Sequence, residues 1–340
     1  METKNSPLLR YVFSGLLLSA IFTAIIAVTA ANLTGFEIVG KSVPFAYPWR
    51  LTAPNALSRL TAWGLYLAHN IIAWVIIYLA QREKPKYGTD LRWFNWAMVA
   101  TSIVFIILHI VQTQIWFDGL AQDVPELSAL GSVAIMLAII IILETPRRGL
   151  VVGKKVKFHK SFMRIVREYH GYFFSWATIY TFWYHPTEGT IGHLAGFFYM
   201  FMLFVQSALI FNPAHINKWW TVTLEVFVLI HGVLVALFQG NGMWPMFAFG
   251  FGAMFILVQM YGLGLNSWTK RILWLIFIAV TVGTYAYMDR LPQIHEVIRI
   301  PMLDYLMIGI IYFIFFGGLG IYRLTKSNKS DSLQSTSAVE

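Results

Sequence analysis

From Tyr11 to Leu33 the chain carries no charged side chain, and this is the first of a series of apolar runs repeated from one end to the other. About 20 apolar residues, each rising about 1.5 Å along a helix, span the hydrocarbon layer of a bilayer. Runs of that length lack the polar face that a helix on a soluble core turns to water. The composition agrees, because 58% hydrophobic against 12% charged residues is more apolar surface than one soluble core of 340 residues uses. The sequence therefore predicts an all-α integral membrane protein, a polytopic bundle of about ten transmembrane helices. These are expected near residues 10–33, 57–80, 93–116, 126–145, 162–184, 190–212, 217–238, 242–265, 268–288 and 301–323. Residues 1–325 then form a single transmembrane domain, and 326–340, rich in Ser, Lys and Asp, a short disordered cytoplasmic tail. The first run follows Lys4 and Arg10 as a signal peptide would, but it is longer and more continuous than a cleavable segment and is expected to stay as the first helix.

The net charge of +9 is confined to a few loops, which argues for membrane topology and against nucleic acid as a partner. Arg82, Lys84, Lys86 and Arg92 share one basic loop, and Arg147, Arg148, Lys154, Lys155, Lys157 and Lys160 another. Lys270 and Arg271 mark a third, and Arg323, Lys326 and Lys329 a fourth. The positive-inside rule places these loops in the cytoplasm, with both termini, and the acidic loop of Asp118, Asp123 and Glu126 outside, where it is expected to be solvated. The expected location is a bacterial cytoplasmic (inner) membrane, with the lipid bilayer as the principal partner.

No cysteine is present, which excludes disulfides, thiolate metal sites, iron–sulfur clusters and cysteine nucleophiles. No P-loop, Gly-rich dinucleotide fingerprint, His-Glu-x-x-His or Gly-x-Ser-x-Gly motif occurs either. Chemistry must come from polar residues inside apolar spans, each costly to bury. Of nine histidines, His159, His215 and His295 fall in loops and read as surface residues. Helix depth sorts the others into two layers: His69 and His170 with Glu225 central to inner, and His109, His193 and His231 outer with His185 above them. His109, Gln112 and Trp116 share one helix face, which should look inward, and Glu225 and His231, six residues apart, should serve different neighbours.

Such imidazoles on separate helices suit haem b, with His69 paired to His170 and His109 to His231, and with His193 as a further cofactor-binding candidate. Two haems would move electrons between the membrane faces, to or from quinone or another redox protein. Single histidines on helices two to seven loosely look like diheme b-type cytochromes, in which four consecutive helices each supply a ligand, although here the fourth helix has none. A second constellation, His185-Pro-Thr-Glu188-Gly-Thr-Ile-Gly-His193, with His109 and His231, could instead bind Fe, Cu or Zn as a non-haem oxygenase or hydrolase. Pro186 and Gly189 also suit any tight loop between helices. Arg167 could hold a propionate or a lipid phosphate, or simply snorkel to the interface. A proton-coupled transporter using a His/Glu relay, and a scaffold in which each His only bonds a neighbouring helix, remain the other readings.

Overall fold

Apolar segments that cannot hydrogen-bond to their surroundings must close their backbone hydrogen bonds internally, and here they do so as helices. The computed structural model describes residues 6–40, 47–53, 55–240 and 242–336; it is 79% helical, with no strand among the described residues. The helices are α1 (Ser6–Thr29), α2 (Ala56–Arg82), α3 (Trp93–Trp116), α4 (Glu126–Arg148), α5 (Lys160–Tyr184), α6 (Ile191–Ala208), α7 (Lys218–Gln239), α8 (Trp244–Leu257), α9 (Ser267–Tyr287) and α10 (Arg299–Thr336). Asn55, Thr190, Asn217 and Asn266 fix the starts of α2, α6, α7 and α9, each side chain accepting a backbone N–H of the first turn.

Among the described residues, nine helical segments are long and apolar enough to cross a membrane. The sequence predicts about ten; α5 is the one outside this set, because Lys160, Arg164, Arg167 and Glu168 charge its first half. Two lengths also differ from expectation. Helix α8 stops at Leu257, where the Leu257 carbonyl, one of the groups a helix end leaves free, accepts the Val152 N–H from the α4–α5 loop at 2.7 Å. Helix α10 continues through the polar segment to Thr336, where the composition reads as a disordered tail from 326; extending an existing helix costs far less than starting one. Residues 337–340 of that tail, and Lys4, lie outside the described residues.

Helices α2, α3, α5 and α6 share one core, rich in aromatic rings, that includes Phe94, Phe105, Phe182, Trp183, Phe197 and Phe201. Helix α1 lies against α6, with Gly15 set so close to Val205 that an added Cβ would stand 2.6 Å from its methyl group. A second cluster joins α4, α5, α8 and α10 through Ile141, Ile142, Phe162, Met254 and Ile308.

The link after α3 turns sharply into the protein. Phe117, buried, adopts a left-handed backbone (φ 66°), an unusual conformation for a bulky side chain, and directs the chain so that Asp118 enters the interior. Gly119 then passes against the backbone carbonyls of Trp183 and Tyr184, where a Cβ would have no room. Gly119→Ala is expected to cost about 1–3 kcal/mol through forced backbone displacement, read as a lowered Tm in detergent.

Candidate functional site at the mouth of α5 and α6

Helix α5 ends at Tyr184, and the chain turns back into α6 through residues 185–190. That turn is organised by its own side chains. The Glu188 carboxylate accepts the Thr190 N–H at 2.8 Å, and Thr190 caps α6. The same carboxylate lies 3.0 Å from His193 Nδ1, one turn into α6, while Thr190 Oγ1 lies 2.7 Å from that nitrogen. The helix start thus holds a carboxylate, a hydroxyl and an imidazole in fixed relation.

The fourth member comes from far away in the sequence. The arm between α1 and α2 folds back on itself, with Val39 N–H donating to the Arg50 carbonyl at 2.8 Å and Gly40 N–H to the Pro48 carbonyl at 2.9 Å. Asp118 straps this arm down by accepting the Leu51 N–H at 2.8 Å. Tyr47 is thereby inserted, only 6% exposed, between the two histidines of the turn. Its hydroxyl lies 2.7 Å from His185 Nδ1 and 2.5 Å from His193 Nε2.

Proton positions follow from what each group can give. His193 Nδ1 is hydrogen-bonded to Thr190 Oγ1 and lies 3.0 Å from the Glu188 carboxylate, which only accepts, so the ring proton sits on Nδ1 and leaves Nε2 free to accept the Tyr47 O–H. The phenol has a single hydrogen, so His185 Nδ1–H must donate to its oxygen. The result is one directed chain: His185, Tyr47, His193, Glu188. Burial pushes the Tyr47 phenol well up, and the nearby Tyr184 and Glu188 add to this, so it stays protonated at rest. Burial pushes the His185 imidazole well below its usual value, so it stays neutral. Glu188 is held below the usual carboxylate range despite its burial, chiefly by the His193 and Thr190 hydrogen bonds.

Tyr47 also faces open space. A cavity of about 240 Å³ beside the turn is lined by Tyr47, Arg50, Gln122, Asp123, Glu126 and Tyr184. Of its lining residues, Arg50 Nε and both amide atoms of Gln122 are buried with no hydrogen-bond partner among the described residues. Such atoms call for water or a ligand.

The other predicted residues distribute around this centre. His109 donates from Nε2 to the His185 carbonyl at 2.8 Å, and its buried Nδ1 has no hydrogen-bond partner among the described residues. Gln112 donates to the Asp118 carbonyl at 2.8 Å, so the polar face of α3 does look inward. His231 lies on α7 beside Gly196, where an added Cβ would meet its ring at 2.8 Å. Its Nδ1 is buried with no hydrogen-bond partner among the described residues, and it is a charge neighbour of His185.

The expected haem pairs are not brought together. His69 stacks on Phe105 (ring centroids 4.4 Å apart, 3° between planes) and accepts the Trp183 indole N–H at 3.3 Å. His170 instead donates to the Arg167 carbonyl and faces His215, 6.3 Å away. His109 packs on Phe182 and Trp183, and no ring contact joins it to His231 among the described residues. Among those residues no three His, Asp or Glu side chains gather as a set that could hold a metal ion; at the turn, the Tyr47 hydroxyl lies between His185 and His193. Arg167 is exposed on α5. Glu225 and His231 do serve different neighbours, but that of Glu225 is Arg148 rather than His170.

Two loop readings need correction. His215 is half-buried rather than an exposed surface residue: it exchanges hydrogen bonds with the backbone and side chain of Gln206, and desolvation lowers its pKa to about 4. Asp118 is not solvated but 1% exposed, and burial raises its pKa from 3.8 to about 6. The folded state therefore holds this proton more tightly than the unfolded chain. The stability it contributes is complete below pH 3.8 and is lost as pH rises through about 6. The loss is expected to be at most about 3 kcal/mol, at roughly 1.4 kcal/mol for each pH unit separating the folded and unfolded values, and solvent screening lowers it. Asp118→Asn is expected to flatten the pH dependence of Tm across that window. His159 and His295 are exposed as expected.

Tyr47 carried no motif in the sequence, since a lone aromatic in a polar link reads as an interfacial anchor. No family model matches this chain, and no curated protein or solved structure is significantly similar to it.

Proposed function

We propose that this chain is an integral membrane protein, with its basic loops and both termini in the cytoplasm, that performs acid–base chemistry at its outer mouth as a hydrolase or group-transfer enzyme. The observation that carries this reading is the hydrogen-bonded chain from Glu188 through His193 to Tyr47, ending at a 240 Å³ cavity. As a substrate enters, the Tyr47 proton passes to His193 Nε2, and the Glu188 carboxylate stabilises the imidazolium. The His185 N–H steadies the phenolate oxygen, which attacks the ester or phosphoester centre. The bond to the leaving alcohol breaks as His193 Nε2–H protonates the leaving oxygen. A water deprotonated by His193 then cleaves the tyrosyl intermediate, the imidazolium proton returning to the Tyr47 oxygen. Arg50, on the cavity wall, offers a cation to the negative charge that develops. An amphipathic ester or phosphoester at the membrane surface fits such a mouth. A bacterial inner membrane is the setting in which basic loops and an outward site take this orientation.

A haem b protein passing electrons to quinone has less support, because the imidazoles it needs already pack against aromatic rings. A non-haem metal enzyme at the same turn would use His185, His193 and Glu188 with Tyr47 displaced. Turnover of p-nitrophenyl esters and phosphates by the purified protein separates these readings. Acid–base chemistry predicts turnover that survives exhaustive chelation, in a sample with no Soret band. A Soret band with no turnover would favour haem, and turnover abolished by chelation and restored by Zn or Fe would favour the metal.

A further inference from the structure

At the opposite end of the bundle, Arg148 is the last residue of α4 and is only 1% exposed. Its guanidinium donates twice to Glu225 of α7, Nη1 to Oε2 at 2.8 Å and Nη2 to Oε1 at 2.7 Å. This pair alone balances. The surroundings do not, because Asp304 of α10, 3% exposed, is the charge neighbour of Glu225 and has no hydrogen-bond partner among the described residues. Arg148, Glu225 and Asp304 line one cavity of about 20 Å³, room for about one water, and Arg148 Nε is buried with no hydrogen-bond partner among the described residues. Two carboxylates against one guanidinium leave an uncompensated negative charge in an apolar interior, which the site must neutralise. A metal cation would need several oxygen ligands, and both Glu225 oxygens are already taken by Arg148. A proton needs only the Asp304 carboxyl itself.

We propose that Asp304, facing Glu225 and Arg148 across a one-water cavity, is a proton-binding site that exchanges its proton through water in that cavity. On release, the O–H bond of Asp304 breaks and the proton passes to the water. The new carboxylate then competes with Glu225 for the Arg148 guanidinium, so protonation and ion pairing are coupled. The groups facing Asp304 support this. Helix α4 contributes Arg148, while Arg147 beside it pairs with Glu144. Helix α7 contributes Glu225, with Tyr199 of α6 next to it. Helix α8 brings no titratable side chain. On the segment leading into α10, Glu296 is paired with Arg290 and Arg299, and on α10 itself Tyr305 donates to the Leu150 carbonyl. Among the described residues lining the cavity Arg148 is the one cation, and Glu225 already engages it twice. The site lies far from Tyr47 and does not depend on the enzymatic reading.

Infrared spectroscopy of the full-length protein in lipid films tests this, because a protonated carboxyl has a carbonyl stretch well separated from that of a carboxylate. The wild-type minus Asp304→Asn difference spectrum at neutral pH is expected to contain that band, unchanged when sodium replaces choline in the buffer. An absent band overturns the assignment, as does a band that appears only when sodium is withheld, which would make the site a cation site. Should Asp304→Asn fail to fold, carbon-13 labelling of aspartate must shift the band in wild type, and Asp304→Glu must retain a carboxyl band that no longer responds to the label. A wild-type band insensitive to aspartate labelling would equally reject the proposal.

Discussion

Replacing His193 by Ala is expected to lower p-nitrophenyl ester turnover by about 10²–10⁴-fold, the usual contribution of a positioned general base. His193 has that weight because it both accepts the Tyr47 proton and hands the resulting charge to Glu188. Tyr47→Phe should cost about as much, and the double variant little more than either alone, since members of one relay fail as a unit. Glu188→Gln should cost less, because Thr190 Oγ1 remains 2.7 Å from His193 Nδ1 and keeps the ring oriented. Steady-state kinetics on the four variants gives the ranking, with Tm confirming that each is folded. Equal turnover in wild type and His193→Ala would remove the relay from the mechanism.

The second large effect lies in the fold. Arg148→Met leaves the Glu225 carboxylate buried and unpaired, and is expected to cost about 3–5 kcal/mol at neutral pH. Adding Glu225→Leu should recover most of that loss, because a buried ion pair replaced by apolar groups of similar volume is often neutral or stabilising. The recovery also requires that Asp304 stay uncharged once Arg148 is gone, as a protonated carboxyl would. Thermal or denaturant unfolding in detergent across the two single variants and the double gives the coupling energy directly.

How far these features could be read from the chain depended on how local they are. The helices were legible because each apolar run sets its own secondary structure, and even α5, whose first half is charged, begins at Lys160 against an expected 162. The gathering of His185, Glu188 and His193 was legible as well, since nine residues and one tight turn keep them together. Tyr47 was not, because it reaches His185 across 138 residues and only the folded arm brings it there. Arg148 read as one more residue of a basic loop; nothing in a sequence tells whether a helix-terminal arginine snorkels outward or turns inward to a carboxylate on another helix. Asp118 read as a solvated acid because its burial depends on the left-handed turn at Phe117, which a bulky residue rarely adopts. The pairing of His69 with His170 rested on depth alone. Depth does not fix which way a ring points, and His69 turns to Phe105 and Trp183.

Two tyrosines compared in one sample give the sharpest test of the relay. Tyr287 is 93% exposed, whereas Tyr47 is almost wholly buried but faces the cavity and donates to His193. Treated near neutral pH with a small aryl sulfonyl fluoride and followed by peptide mass spectrometry, Tyr47 should react faster than Tyr287 by on the order of tenfold or more, and lose that advantage in His193→Ala. Faster reaction at Tyr287, with Tyr47 indifferent to the loss of His193, would rule out an activated phenol at this mouth.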